Sequence, residues 1–349
     1  MSLNSFNTMI FHSPPKVSVI IPNYNHAHYL QKRISSIFNQ TYQNFEIIYL
    51  DDASTDDSNQ VFAEFSSDPR IRAIYNEVNT GNPFKQWNKG IKEARGEYVW
   101  IAESDDYADP QSLEVLINAL DENPTAGFAY CQSWEVDESD RVLSNYQWLT
   151  AEFGDRWQHN FTNNGVDECT NYMVFRNTVP NASAVLIRRS TYLTVGGAPE
   201  DMRLCGDWLF WSKLLLSSDV VFVADTLNYF RRANPKGARG QAEKGGRYIE
   251  ERFKVVQYIC QNVEMSQAQK VAALYRFVNH WVEFSLKHKV PFERHQNIYA
   301  IANSLDPNLK FQLVHRVPLI AIKHISRQAG FTDPIKSLLQ KPKLSSTPN

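Results

Sequence analysis

The stretch Gly96-Glu97-Tyr98-Val99-Trp100-Ile101-Ala102-Glu103-Ser104-Asp105-Asp106 joins an apolar run to three acidic residues. The apolar run predicts a buried strand. Carboxylates at the carboxyl end of a parallel strand lie where open α/β sheets bind their ligands. Their oxygens suit Mg²⁺ or Mn²⁺, which indicates a metal that holds a phosphate-bearing substrate. A solvated acidic turn is the alternative that this stretch alone leaves open.

Strand and helix patterns alternate around this stretch, over the first third of the chain. Four apolar runs predict strands at residues 17–21, 46–50, 71–75 and 97–102. Apolar residues at helix spacing lie between the runs, and Gly96 is expected to end the third helix. This alternation predicts an α/β fold with a doubly wound, mostly parallel sheet flanked by helices. Because the carboxyl ends of such strands share one edge, Tyr24, Asp51 and Glu103–Asp106 should converge there.

The rest of the chain shows two different patterns. Residues 133–180 are aromatic and weakly periodic, as is typical of binding segments. Strands at 182–187 and 220–223 follow, with an aromatic helix starting at Gly206 between them. Beyond residue 234 the periodicity is helical, with candidates at 252–260, 272–286 and 298–305. We therefore expect a tail at 1–15, an α/β domain at 16–234 with halves 16–131 and 132–234, and a helical C-terminal region at 235–349.

Composition narrows the class of protein. The 349 residues are 43% hydrophobic and 21% charged with a net charge of −2, which gives no electrostatic argument for nucleic acid. Four cysteines without CxxC spacing argue against a thiolate zinc site or a disulfide framework. Neither a signal peptide nor a long apolar span is recognisable, so we expect a cytoplasmic protein.

The end of the chain is basic. From Lys310 onward the sequence has seven Lys or Arg residues and one acid, Asp333. A basic amphipathic tail of this kind suits peripheral contact with the anionic inner face of a membrane. A packing helix with a solvated basic face is the alternative.

Five motifs along residues 16–232 resemble, in order, the signatures of family 2 glycosyltransferases. They are Val17–Asn25, Leu50–Asp56, the run Asn79-Thr80-Gly81 with Trp87–Ile91 and Ala94–Tyr98, the acidic stretch in the place of a DxD motif, and Gly206-Asp207-Trp208. Five ordered matches are more specific than any one of them. One residue departs from the family pattern, because Glu103 stands where the family usually has Asp, although the carboxylate is kept.

The resemblance implies a GT-A fold in which residues 16–131 bind the nucleotide and residues 132–234 bind the acceptor. It implies inverting transfer of a hexosyl or N-acetylhexosaminyl group from a nucleotide-diphosphate donor, with a UDP-sugar favoured, to a hydroxyl. The implied acceptor is a glycan or a lipid-linked glycan, as in polysaccharide and cell-envelope synthesis. Asp105 would be the direct ligand of Mn²⁺ or Mg²⁺, and Asp207 the general base. The implied nucleotide contacts are Pro22, Tyr24, Asn25, Asp51, Glu103 and Ser104.

Further candidates each have an ordinary structural alternative. Asp106 would support the metal ligand or the start of the next helix, and Asn88 belongs to the third motif. Trp208 would stack on a sugar, although aromatic residues at helix spacing are commonly core residues. Arg231 and Arg239 are expected on a loop that closes over the phosphates, with surface arginines as the alternative. For Asp207 the alternative is a helix N-cap.

The chemistry explains why these residue types matter. Loss of the diphosphate gives the sugar oxocarbenium character, and inversion needs a base on the opposite face.

Two other functions are alternatives to sugar transfer. A nucleotidyltransferase would usually carry a glycine-rich basic loop after the first strand, whereas Pro22–His26 contains no glycine. A catalytically silent nucleotide- or glycan-binding protein would have no need of Asp207.

Overall fold

A computed structural model describes residues 14–232 and 245–328 of the chain. The tail up to residue 13, Arg239 and the basic residues beyond Gln328 lie outside the described residues. Within the described part of the chain, no helix is long and apolar enough to cross a membrane.

One mixed sheet forms the centre of the protein. Its strands are β1 Val17–Asn23, β2 Phe45–Asp51, β3 Ile71–Tyr75, β4 Tyr98–Ile101, β5 Tyr107–Ala108, β6 Ala126–Val136, β7 Val142–Asn145, β8 Phe161–Asn163, β9 Val185–Arg188 and β10 Asp219–Arg231. The order is β3-β2-β1-β4-β9-β6-β10-β5, with β7 beside β6 and β8 beside β10. Strands β1 to β4 are parallel, and β9 inserts antiparallel between β4 and β6. Strand β10 runs parallel to β6, so both end at the same edge as β1, β2 and β4.

Helices cover both faces of the sheet and make up the C-terminal part. They are α1 Ala27–Phe38, α2 Ser58–Ala63, α3 Pro83–Glu93, α4 Ser112–Glu122, α5 Gly165–Glu168, α6 Arg189–Thr194, α7 Gly206–Leu215, α8 Arg247–Asn262, α9 Gln267–Lys287, α10 Phe292–Leu305 and α11 Leu309–Gln328. Local signals start several of them. Asn82 caps α3, with Pro83 in its first turn, and Ser266 begins α9 with a capping box.

The alternation of side chains along each strand divides the core in two. Val19 of β1 belongs to the cluster under α1, α2 and α4, whereas its neighbour Ile20 belongs to the cluster under α3 and α7. The second cluster also contains Phe253 of α8 and Phe277 of α9. The C-terminal helices therefore share a hydrophobic core with the α/β part.

The predicted doubly wound sheet is confirmed, with three local corrections. Helix α3 ends at Glu93 rather than Gly96, and Gly96 instead permits close packing, because a Cβ there would lie 2.5 Å from the Ser18 nitrogen. The strand predicted at 182–187 begins as a 3₁₀ turn and becomes extended only at Val185. The strand predicted at 220–223 continues to Arg231, because pairing with β6 carries it through polar residues and two register shifts.

Candidate functional site

Three loops meet where β1, β2 and β4 end. The side-chain amide of Asn23 donates to Asp51 Oδ2 at 3.1 Å, which joins the first two strand ends. His26 Nδ1 lies 2.8 Å from Ser104 Oγ, which joins the first loop to the acidic stretch. The predicted convergence of these residues at one sheet edge is thus confirmed as a spatial arrangement.

The loop after β1 presents one exposed ring. Pro22 is buried in β1 opposite Leu50, whereas Tyr24 is 42% exposed. Asn25 adopts φ 55°, and its Oδ1 accepts from the Thr55 backbone N–H at 2.7 Å. Asn is among the few side chains that tolerate this left-handed region. The loop is therefore fixed while the Tyr24 ring remains available to a planar ligand.

Asp51 is a buried acceptor at the end of β2. Its Oδ1 accepts from the Ser54 backbone N–H at 2.8 Å, and its Oδ2 accepts from Tyr49 Oη at 3.1 Å. Burial and then the charge of Asp51 raise the pKa of Tyr49. The carboxylate is therefore held in a single orientation, as a group that recognises a ligand N–H or hydroxyl must be.

The acidic stretch, Glu103 to Asp106, follows β4 and concentrates negative charge. Trp87 Nε1 of α3 donates to Glu103 Oε1 at 2.8 Å. Burial, and then the charge of Asp105, raise the pKa of Glu103 to about 8. Burial and Asp105 also raise the pKa of Asp106, which accepts the Arg231 backbone N–H at 2.9 Å. Glu103 and Asp105 are both partly exposed, whereas Asp106 is buried.

A buried arginine that the sequence analysis missed lies behind these acids. Arg33 of α1 has no exposed area, and its Nε donates to the Glu103 carbonyl at 2.9 Å. Burial lowers the pKa of Arg33 to about 10, so it remains a cation at neutral pH. The sequence did carry a signal, because Arg33 stands in the apolar stripe of α1 between Leu30 and Ile34.

The residues present suit a divalent metal only as part of a complex with a ligand. Within 14–232 and 245–328, no three His, Cys, Asp or Glu side chains are grouped to hold an ion. Mg²⁺ at nucleotide sites is commonly bound by one or two carboxylates together with substrate phosphates. Asp105, an oxygen donor with partial exposure, fits that pattern.

Asp207 lies in the first turn of α7, and the N-cap of that helix is Cys205. The N-cap alternative for Asp207 is therefore wrong. Asn177 Nδ2 donates to Asp207 Oδ2 at 3.2 Å. Helix α7 starts directly against α3, because a Cβ on Gly206 would lie 2.3 Å from Phe84 Cε2. Since Trp87 of the same α3 reaches Glu103, one helix supports both Asp207 and the acidic stretch.

Two other candidates, Trp208 and Asn88, hydrogen-bond to the backbone of the protein. Trp208 is buried, and its Nε1 donates to the Met173 carbonyl at 3.0 Å, so its ring is not available for sugar stacking. Asn88 braces the segment before α7, since its Nδ2 donates to the Ala198 carbonyl and its Oδ1 accepts the Ala198 N–H, both at 2.9 Å.

The expected loop position of Arg231 is wrong, because Arg231 is the buried last residue of β10. Strand pairing extends beyond the apolar part of β10 and brings this side chain inside. Its Nε donates to the Asp105 carbonyl at 2.9 Å, and its Nη2 lies 2.5 Å from Asp140 Oδ1. Arg231 thus holds the acidic stretch through the Asp105 carbonyl, as Arg33 does through the Glu103 carbonyl.

Known proteins are similar to this chain in sequence. Residues 18–179 match the model of glycosyl transferase family 2. Glycosyltransferase GlyG of Streptococcus pneumoniae is 29% identical over 231 residues, which cover 62% of this chain and 70% of GlyG. An uncharacterized glycosyltransferase of Haemophilus influenzae is 32% identical over 206 residues, which cover 57% of this chain and 60% of that protein.

Solved structures show the same fold at low sequence identity. TarS of Staphylococcus aureus, residues 1–349 in complex with UDP-GlcNAc, superposes with a TM-score of 0.65 at 19% identity, covering 90% of this chain and 92% of that one. The mannosyltransferase PcManGT from Pyrobaculum calidifontis, in complex with GDP-Man and Mn²⁺, gives 0.54 at 15% identity, covering 91% and 89%. Residues 18–179, which contain the strand ends of the site, therefore match glycosyl transferase family 2, and the chain has the GT-A fold.

Proposed function

We propose that this protein is an inverting glycosyltransferase that moves a sugar from a UDP-sugar to a hydroxyl of a glycan or lipid-linked acceptor. The observation that carries the proposal is that one helix, α3, contacts both the start of α7, which carries Asp207, and the acidic stretch. A base and a diphosphate-binding edge are thereby held on a common support. GlyG shares family and sequence with this chain, and TarS, in complex with UDP-GlcNAc, shares its fold.

Each residue has a role that its surroundings support. The exposed Tyr24 ring stacks on the base, and the fixed Asp51 carboxylate accepts a hydrogen bond from it. Asp105 is the protein ligand of a divalent metal, which when bound neutralises charge on the leaving diphosphate. Asp207 takes the proton of the acceptor hydroxyl. General-base catalysis of this kind contributes about 10²–10⁴ in rate.

The test is release of UDP from a panel of UDP-sugars with Mn²⁺ and acceptor extracts. Asp207→Asn should abolish release of UDP and leave UDP binding unchanged. Asp105→Asn should abolish the stimulation of UDP release by Mn²⁺. Asp201→Asn is the matched control, because Asp201 is an exposed carboxylate shortly before α7 and should not affect turnover. Binding of UDP by the wild type without turnover on any donor would instead support a silent binding protein.

We also propose contact between α11 and an anionic membrane surface. Phe311 and Val314 are 75% and 67% exposed on one side of α11, next to the exposed Lys310. Buried Leu309 and Ile320 hold the other side against the protein. An exposed apolar side next to a lysine matches helices that lie in the interface of anionic bilayers.

Sedimentation with vesicles of phosphatidylglycerol or phosphatidylcholine tests this contact. The wild type should bind the anionic vesicles, and a Phe311→Ser, Val314→Ser double variant should bind them at least about tenfold more weakly. Leu286→Ser changes an exposed apolar residue on α9 and serves as the control. Equal binding by the wild type and the double variant would refute the contact.

A further inference from the structure

The start of α7 is fastened by a carboxylate from the C-terminal helical region. Glu251 of α8 accepts three consecutive backbone N–H groups, from Arg203 at 3.0 Å, Leu204 at 2.7 Å and Cys205 at 2.9 Å. Glu251 is only 3% exposed, so its carboxylate is largely shielded from water. We infer that Glu251 is a positioning residue for Asp207, an inference that rests on the proposed function of Asp207 as the base.

The sequence before α7 explains why such a carboxylate is needed. A helix begins with backbone N–H groups that have no partner inside the helix, and the residues leading into it add more. The N-cap Cys205 makes no side-chain capping bond. A charged acceptor is favourable at this end, because the helix dipole places positive partial charge there. Glu251 therefore binds the N–H groups of the residues that lead into α7, ahead of the first-turn N–H groups that a local Ser or Asp N-cap would bind.

Asp207 follows this anchored segment by two residues. On one side of α7, Gly206 packs directly against Phe84 of α3. On the other side, Trp208 packs against Phe277 of α9, with ring centroids 5.8 Å apart. The Glu251 contacts restrict the remaining motions of the first turn of α7, which are fraying and rotation. A shift of about 1 Å in a reacting group can cost about 10²-fold in rate, so this anchoring bears directly on the base.

A neighbouring residue separates positioning from general stability. Glu250 of α8 is also buried, with 8% exposed, but it faces α10. Its carboxylate is paired with Arg294 of α10 and lies 3.5 Å from Lys254 Nζ. Glu250→Gln and Glu251→Gln therefore each remove one buried charge from the same helix turn. Only the second changes the support of Asp207.

The experiment compares the two variants in steady-state kinetics, UDP binding and hydrogen exchange. Glu251→Gln should lower kcat at least about tenfold, with KM for the UDP-sugar and the Kd for UDP within about twofold of the wild type. Its amide hydrogens at residues 203–205 should exchange at least about tenfold faster. Glu250→Gln should leave kcat and the exchange of this segment unchanged, whatever its effect on the melting temperature.

The outcomes separate this inference from the proposed function. If Asp207→Asn abolishes turnover but Glu251→Gln retains the wild-type kcat, the role of Glu251 is refuted and the function stands. The role is also refuted if both glutamine variants lose kcat in proportion to their loss of stability. Glu251→Asp, which shortens the same carboxylate, should recover part of the kcat lost in Glu251→Ala. A wild type that transfers sugar from no donor would overturn the proposed function, and the catalytic role of Glu251 with it.

Discussion

Replacing Arg33 by Met tests whether a buried cation holds the acidic stretch in place. Met keeps an unbranched side chain in the apolar stripe of α1 but removes the charge. The change eliminates the 2.9 Å hydrogen bond from Arg33 Nε to the Glu103 carbonyl. It also removes the positive charge that faces the carboxylates of Asp105 and Asp106.

The magnitude follows from the burial of the group. A hydrogen bond from a charged donor contributes about 1.5–3 kcal/mol. Arg33 has no exposed area, so solvent screens little of this interaction. We therefore expect the free energy of unfolding to fall by about 1.5–3 kcal/mol.

The cost should also depend on pH, with a defined sign. Arg33 lowers the pKa of Glu103 from what burial alone would give, to a net value of about 8. Without Arg33 that pKa rises further, so the folded variant retains protons that the folded wild type has released. The variant must therefore lose additional stability relative to the wild type as pH rises from about 6 to about 9.

Urea denaturation followed by tryptophan fluorescence at these two pH values measures the effect. Lys32→Met is the matched control, because Lys32 is the preceding residue of α1, with its side chain 43% exposed and 2.8 Å from Asp140. An exposed ion pair of this kind contributes less than about 1 kcal/mol. A loss below about 1 kcal/mol in Arg33→Met, or an equal loss at both pH values, would refute the argument.

Three further outcomes are expected. Burial raises the pKa of Glu46, but hydrogen bonds from Arg95 and Ser18 outweigh it and leave the pKa below 4.5. Glu46→Gln should thus cost about 1–3 kcal/mol at neutral pH and less near about pH 3, as denaturation midpoints at the two pH values will show. Trp208→Phe should lower stability by about 1–3 kcal/mol without changing the Kd for UDP in calorimetry, since it loses only a core hydrogen bond. Tyr24→Ala should weaken UDP binding about tenfold and change the free energy of unfolding by less than about 0.5 kcal/mol, because an exposed stacking ring contacts the ligand and does not stabilise the fold. An unchanged Kd for UDP would count against stacking.

The sheet and its functional edge were predictable because both depend on local pattern. Apolar runs of strand length alternating with helix-spaced residues leave few packing solutions other than a doubly wound sheet. Once the strands are parallel, Tyr24, Asp51 and Asp105 must share an edge whatever the rest of the chain does. The order of the motifs then indicated the family. None of this required knowledge of a contact between distant residues.

Side-chain roles that depend on packing between distant segments could not be predicted from the sequence. Trp208 has the spacing of either a core residue or a stacking ring, and only the arrival of α9 against it decides between them. Strand propensity predicts a polar loop at Arg231, because it does not reveal that pairing with β6 continues through polar residues. Propensity along a strand is weak where a neighbouring strand supplies the hydrogen bonds.

The sequence by itself determined the sheet, the edge on which a nucleotide would bind and the acids that stand there, because periodicity and strand direction are properties of contiguous segments. The tertiary structure alone decided how those acids and Asp207 are held. Arg33, Arg231 and Glu251 act on backbone atoms far away in the chain, at Glu103, Asp105 and residues 203–205. A backbone N–H or carbonyl is chemically the same at nearly every residue. A side chain's contact with a distant backbone atom therefore cannot be predicted from residue types.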